Sequence, residues 1–390
     1  MPQDQILSPA QREAHHVIPI YSLHLDVIRG LAALLVLAAH LHLVITGHST
    51  ATGEGIISHP AHAASMARAA VFIFFILSGY LVGGSVIREL KRNTFSWSKY
   101  ALRRLTRLWT VLIPTLILGS IADTVTAHFY SKTSVFTNCE FTSVLRAPSG
   151  AFHFLPYLSF LQSINRFAFH DFGTNAALWS LSNEFWYYAL FPLIAVSLFG
   201  AGTPKFLRVA FAILAAFLLW FLGVRISAGF PLWLCGVLAY LVPAKIPQKF
   251  LRPVNISLTL QFLAVLYFLR SHAVGAVSSD VSLALSFTLL LYGILHQVDP
   301  AKPSLYWHLA HCLSFPSYSL YACHIPICIL LTAAFQASFP DLFSQTPLAA
   351  TIILVLVLAY AGLFYLVFER NTEHLRKFAE RLLFHQQAGH

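Results

Sequence analysis

The sequence predicts an all-α, polytopic membrane bundle of about ten transmembrane helices with both termini cytoplasmic. Three observations predict it. Hydrophobic residues make up 57% of the 390-residue chain and charged residues only 10%, whereas an ordinary soluble domain is about a quarter charged. The apolar residues fall into runs, and a run of roughly 20 residues is what a helix needs to cross the hydrocarbon core. The Lys and Arg residues collect between alternate runs, as cytoplasmic loops do.

The runs occupy residues 25–46, 70–87, 108–128, 178–199, 209–224, 229–243, 254–270, 280–296, 314–335 and 347–368. With the N-terminus inside, 19 of the 25 basic residues fall on inner segments and 6 on outer ones, which sets the orientation. The stretch 151–164 (AFHFLPYLSFLQSI) is too short and too proline-interrupted to span, and reads as a re-entrant or interfacial piece. It lies in the longest outer segment, 129–177, which is polar and rich in Ser, Thr and Asn. The first twenty residues carry no short apolar core with a cleavage site. The organisation is a cytoplasmic segment at 1–24, a membrane domain at 25–368 and a basic amphipathic tail at 369–390 that lies on the inner interface.

This composition excludes a soluble enzyme, a disordered chain and a disulfide scaffold. The net charge of +10 would raise nucleic-acid binding in a soluble protein; in a membrane chain it is topogenic, and no nucleic-acid partner is expected. Five cysteines, Cys139, Cys235, Cys312, Cys323 and Cys328, form no CxxC pair, so neither a metal site nor a disulfide framework is expected.

Ionisable groups inside the hydrocarbon cost about 2.5–3.5 kcal/mol each on insertion scales and are functional candidates for that reason. Arg29 and His40 are eleven residues apart in LDVIRGLAALLVLAAHLH. That spacing is three helical turns plus about 20°, so both leave one helix face about 16 Å apart. Taken singly, Arg29 reads as a snorkelling anchor and His40 as a satisfied interior histidine; a shared face is what neither reading explains. Glu184, in ALWSLSNEFWYYALFPL, reads as lying at the depth of His40, where a carboxylate would orient the imidazole. A structural ion pair is the alternative. The segment 88–107 (RELKRNTFSWSKYALRRLTR) holds seven basic residues and one acid. Lys99, Arg103 and Arg107 form an i, i+4, i+8 stripe, and Arg104 pairs with Arg107 at i, i+3. Such a surface suits a multiply phosphorylated ligand, or anionic membrane lipids.

These residues resemble the acyltransferase 3 family of integral-membrane acyltransferases. The resemblance runs through LDVIRGLAALLVLAAH, FFILSGYLVG at 74–83, YALRRLTRLWTVLIP, WSLSNEFWYYALFPL and SYSLYACHIPI at 317–327, in the family's order over about 300 residues. It implies transfer of an acyl group, usually acetyl from acetyl-CoA, to hydroxyls of extracytoplasmic or lipid-linked glycans, by a multi-pass protein of the bacterial inner membrane. It implies His40 as the essential histidine, with Arg29 its partner and Glu184 the acid of the WSLS motif. It assigns Arg104 and Arg107 to coenzyme A, and Arg103 lies beside them. Ser78, Tyr318 and His324, in the matched motifs, are further candidates, a covalent acyl-enzyme on Ser, Tyr or His being the alternative to a general base. Two positions depart from the pattern: Phe185 follows Glu184 where many members have a second acid, and Cys323 precedes His324 where Trp is common. The fused extracytoplasmic domain of some relatives is not in this sequence. His153 and Asp171 of the outer segment are candidates for shaping the acceptor site. The rival readings are a transporter or flippase for a polysaccharide precursor, which would show paired broken helices or a two-fold repeat, and an acyltransferase acting on a small-molecule acceptor.

Overall fold

In the computed structural model the described residues are 19–46, 60–142, 145, 154–164, 166–167, 172–243, 246–271 and 276–384. His153 and Asp171 lie outside them. Among the described residues the only β pairings are two isolated bridges, Pro19–Pro300 and Phe172–Asn175, and the chain is otherwise helices and their connections.

The helices are α1 (Ile20–Thr46), α2 (Pro60–Ser78), α3 (Gly84–Lys91), α4 (Trp97–Phe129), α5 (Trp179–Phe199), α6 (Lys205–Leu222), α7 (Phe230–Leu241), α8 (Gln248–Ser271), α9 (Ala276–Leu295), α10 (Leu305–Ser314), α11 (Ser317–Ser338), α12 (Thr346–Val367) and α13 (Thr372–Phe384). Each of the ten expected spans is helical. Nine helical segments among the described residues are long and apolar enough to cross a membrane by themselves. The tenth, α5, has 21 residues but carries Ser180, Ser182, Asn183, Glu184, Tyr187 and Tyr188 in its first half. All of these except Glu184 are buried within the protein, so the polar half of α5 faces protein and needs no lipid-compatible surface.

The helices overrun the expected spans, and at one place this changes the reading of the site. The basic segment 88–107 is not a loop. It is the end of α3, a turn at 92–96, and the first three turns of α4. Asn93 takes φ +54° in that turn, and the YALRRLTRL stretch that follows is built from strong helix formers. Arg103, Arg104 and Arg107 are therefore held on a rigid helix, within a 33-residue rod. Beyond α12, Glu369–Asn371 forms a short 3-10 turn and α13 packs across α4.

α11 is the hub. It packs against α1, α4 and α12, and Ser317, Ser319 and every residue from Leu320 to Ile329 are buried. On the other side, α2 and α3 are joined through a π-helical turn, Gly79–Gly83, against which α7 packs. The approach is backbone on backbone. A Cβ on Gly79 would lie 1.9 Å from the Trp233 carbonyl oxygen, and one on Gly236 would lie 1.9 Å from the Ile76 carbonyl oxygen. Small residues permit such contacts where the hydrophobic effect does not drive helices together. The π-turn adjoins Ser78, consistent with the placing of such bulges at functional sites.

Gly236→Ala should therefore lower the thermal midpoint in detergent, by the equivalent of about 1–3 kcal/mol of overpacking. Gly362→Ala, where a Cβ would meet nothing within 4 Å, should hold or raise it, alanine being favoured over glycine inside a helix. Equal midpoints for both variants would show that the α2–α7 approach is not tight.

Candidate functional site

Five helices converge on a partly open cavity of about 290 Å³. Arg29 enters from α1, Phe74, Phe75 and Ser78 from α2, Arg104 and Arg107 from α4, Ser180, Glu184 and Tyr188 from α5, and Tyr318 and Tyr321 from α11. Six of the residues singled out from sequence (Arg29, Ser78, Arg104, Arg107, Glu184 and Tyr318) thus share one cavity.

The three arginines are not equivalent. Arg29 Nη2 donates to Asp26 Oδ1 and to Ser314 Oγ, and Ser314 Oγ donates to Asp26 Oδ1 at 2.9 Å. Arg104 and Arg107 have no carboxylate within ion-pair distance among the described residues. Arg104 lies over the rings of Tyr100 and Tyr188, at 5.5 and 5.6 Å, and Arg107 over that of Tyr318, at 5.3 Å. These aromatic faces stabilise the cations while leaving their N–H groups available. Arg103 does not line the cavity: its Nη2 donates to both carboxylate oxygens of Glu89, at 2.7 and 2.9 Å. The stripe read from sequence is therefore split, because Arg103 turns toward α3 and Arg104 and Arg107 turn inward.

Glu184 is placed differently from the sequence expectation. Tyr100, in the first turn of α4, donates to the Tyr188 carbonyl at 2.9 Å, and Glu184 is one turn from Tyr188. The carboxylate therefore lies at the level of the arginines. It accepts from Tyr188 OH and, at 3.2 Å, from Ser78 Oγ. Trp233 Nε1 donates in turn to Ser78 Oγ at 3.2 Å. The misplacement has a physical cause. The start of α5 is not at the outer surface, because the preceding segment dives inward. Trp109, two residues past Arg107, donates from Nε1 to the Leu158 carbonyl at 3.1 Å. Phe160, at φ +58°, turns the chain back, and its carbonyl accepts from Ser182 Oγ and Trp186 Nε1 at 2.6 and 2.9 Å. The stretch around 151–164 is thus re-entrant where it is described. Phe185, which stands where relatives carry a second acid, stacks on Phe160 at 4.4 Å.

His40 does not line the cavity and has no carboxylate partner among the described residues. Its side-chain partner is His324, with Nδ1 2.9 Å from the His324 Nε2, and the Val36 backbone one turn earlier also interacts with its ring. Phe141 meets the His40 ring edge-on at 5.7 Å. The histidine pair and the cavity are separated by the Tyr321 ring, which lines the cavity and lies 6.2 Å from the His324 ring. Phe74 packs edge-on against Tyr321, and Tyr321 OH and Ser180 Oγ share a 2.5 Å hydrogen bond.

Four supporting residues were not singled out from sequence. Asp26 pairs with Arg29. Glu369 accepts from the Ser319 amide and hydroxyl, at 3.0 and 2.6 Å, and its charge acts on Arg107 and Arg29. Asp123 accepts from the Thr174 amide at 2.9 Å and hydroxyl at 2.6 Å. Asn175 is the most instructive. Pro326 has no N–H, so the Ala322 carbonyl four residues earlier lacks its helical donor. Asn175 Nδ2 supplies one at 2.8 Å. The proline in SYSLYACHIPI was the visible half of this contact; the donor came from a segment with no readable periodicity.

A profile described as an acyltransferase domain, that of the acyltransferase 3 family, matches residues 23–366. The chain belongs to the acyltransferase 3 family, and its long apolar helices make it an integral, multi-pass membrane protein. It is 28% identical over 161 residues to an uncharacterised protein of Haemophilus influenzae, an alignment covering 40% of this chain and 58% of that protein. The chain thus spans less than two thirds of that relative. No solved structure gives a significant match.

Asn175→Ala should destabilise the fold by about 1–3 kcal/mol, the cost of a stranded buried acceptor. Against a Pro326→Ala background, whose new N–H can serve Ala322, the same change should cost much less. A double-mutant cycle on thermal unfolding in detergent measures this coupling; strict additivity would remove the compensation argument.

Proposed function

We propose that this chain is an O-acyltransferase that takes an acyl group, acetyl by preference, from cytosolic acyl-CoA. The acceptor is a hydroxyl of an extracytoplasmic or lipid-linked glycan, and the membrane is the bacterial inner membrane. The observation that carries this reading is the pair Arg104 and Arg107. Two guanidinium groups line the cavity with no ion-pair partner among the described residues, Arg104 half-buried and Arg107 exposed. Their N–H groups are accessible from the cavity, and an anionic ligand there pairs with them. Arginine forks match phosphate oxygens bidentately, so the coenzyme A phosphates bind there. Arg29, already engaged by Asp26, contributes field rather than a free fork, and Arg103, held by Glu89, takes no part.

The thioester is carried toward His40 along the α1 face. The eleven-residue separation from Arg29, about 16 Å of helix, suits an extended pantetheine arm. Tyr321 and Phe74 must shift to let it pass. His40 takes the proton of the acceptor hydroxyl as that oxygen attacks the acyl carbon, the role of a general base, typically worth 10²–10⁴-fold. Glu184 acts on the donor side: it orients Tyr188 and Ser78 against the ligand and does not touch His40.

Purified protein given labelled acetyl-CoA and a glycan acceptor should release free CoA. Arg104→Ala combined with Arg107→Ala should raise KM for acetyl-CoA by about tenfold or more, two charge-assisted contacts being lost; an unchanged KM would refute the phosphate assignment. His40→Ala should abolish transfer while leaving acetyl-CoA binding intact, and wild-type transfer by that variant would rule out His40 as the base.

A further inference from the structure

The hydrogen-bond partners of His324 decide which nitrogen of His40 is free. His324 is fully buried. Its Nδ1 lies 3.0 Å from the Leu320 carbonyl oxygen and 2.8 Å from that of Tyr321. Carbonyl oxygens only accept, so Nδ1 carries the hydrogen and Nε2 of the neutral ring carries the lone pair. His40 Nδ1, 2.9 Å from that Nε2, must then be the donor. The remaining nitrogen, His40 Nε2, then carries the lone pair.

We propose that His324 is a positioning residue that locks His40 in the Nδ1-protonated tautomer, making His40 Nε2 the atom that receives the acceptor's proton. This rests on the reading of His40 as general base and specifies how that base is prepared. The backbone of α11 sets the His324 tautomer, His324 sets that of His40, and no carboxylate is needed in the chain. In the transfer step the acceptor's O–H proton passes to His40 Nε2. Its oxygen bonds to the acyl carbon, the carbon–sulfur bond breaks, and the thiolate leaves with the proton from Nε2. While His40 is doubly protonated its Nδ1–H still points at the His324 lone pair, which supports the transient positive charge. Tautomer fixation by a second residue is how other imidazole bases are oriented.

Three variants test this. His324→Leu and His324→Ala remove the acceptor. His324→Gln restores one, since a glutamine oxygen reaches the position that Nε2 occupies. The leucine and alanine variants should lower kcat for transfer at least tenfold with KM for acetyl-CoA unchanged, and the glutamine variant should recover most of the loss. A purely space-filling role would favour Leu over Gln, or leave all three alike, and either result would overturn the proposal. His40→Ala separates the two layers: if it is inactive while His324→Leu is fully active, the base stands and the positioning role falls. If His40→Ala itself is active, the base reading falls. A measurement on unaltered protein covers poor folding of the variants. With ¹⁵N-labelled histidine, and His40 assigned by difference against His40→Ala, the His40 resonances should report protonated Nδ1 and unprotonated Nε2. The opposite tautomer would end the proposal.

Discussion

A polar group taken into the interior of a membrane bundle must find its partner within the chain, because neither lipid nor bulk water will supply one. That demand places most of this site. The Ala322 carbonyl loses its helical donor to Pro326 and acquires the Asn175 amide. Asp123 takes both donors of Thr174, and a Cβ at Gly173 would sit 2.0 Å from its Oδ2, so the chain there passes at glycine distance. These contacts pin the segment before α5 into the bundle and start α5 below the surface. Glu184 then meets the arginines rather than His40. One missing backbone hydrogen thus bears on where Glu184 lies.

The same demand explains what could be read in advance. Spacing along one helix is fixed by helical geometry, so the Arg29–His40 face, the Arg104–Arg107 pair and the ten apolar runs were legible before any packing was known. Depth across helices is another matter. Placing Glu184 beside His40 assumed that α5 begins at the membrane surface, and nothing in WSLSNEF contradicts that. The error arises from the segment before α5, whose described residues 154–164 and 172–178 form short turns and a re-entrant stretch and carry no periodicity. Arg103 shows the same limit on a smaller scale. Its stripe with Lys99 and Arg107 was correct as helical geometry, but Glu89, across the turn at 92–96, claims the guanidinium. The His40–His324 contact joins positions 284 residues apart, and no local signal marks it.

The resulting site has two compartments of opposite character. The cavity holds charge: three arginines and Glu184, lined by tyrosines. Among the described residues the histidine compartment holds none nearby, and Phe141 and Tyr321 pack against its two rings. A polyanionic donor and a neutral reacting thioester have matching requirements. Phosphates need fixed cations, and an acyl carbon awaiting a hydroxyl must be kept from water. Separating these environments along one helix face lets a single extended molecule satisfy both.

In the proposed reading, that separation also bears on how His40 can work as a base without a carboxylate behind it. An ionised partner would add a buried negative charge in the apolar half of the bundle, at the desolvation cost that buried charges carry. A neutral histidine anchored to backbone carbonyls orients the base through hydrogen bonds alone. The helix that supplies those carbonyls is α11, the hub against which α1 packs, so tautomer and position are fixed by the same element. Tyr318 and Tyr321, on the preceding turns of α11, line the cavity, and Tyr321 also adjoins His324. Any ligand that displaces Tyr321 therefore acts on the turn whose carbonyls hold His324, which in the proposed reading links occupation of the donor cavity to the readiness of the base.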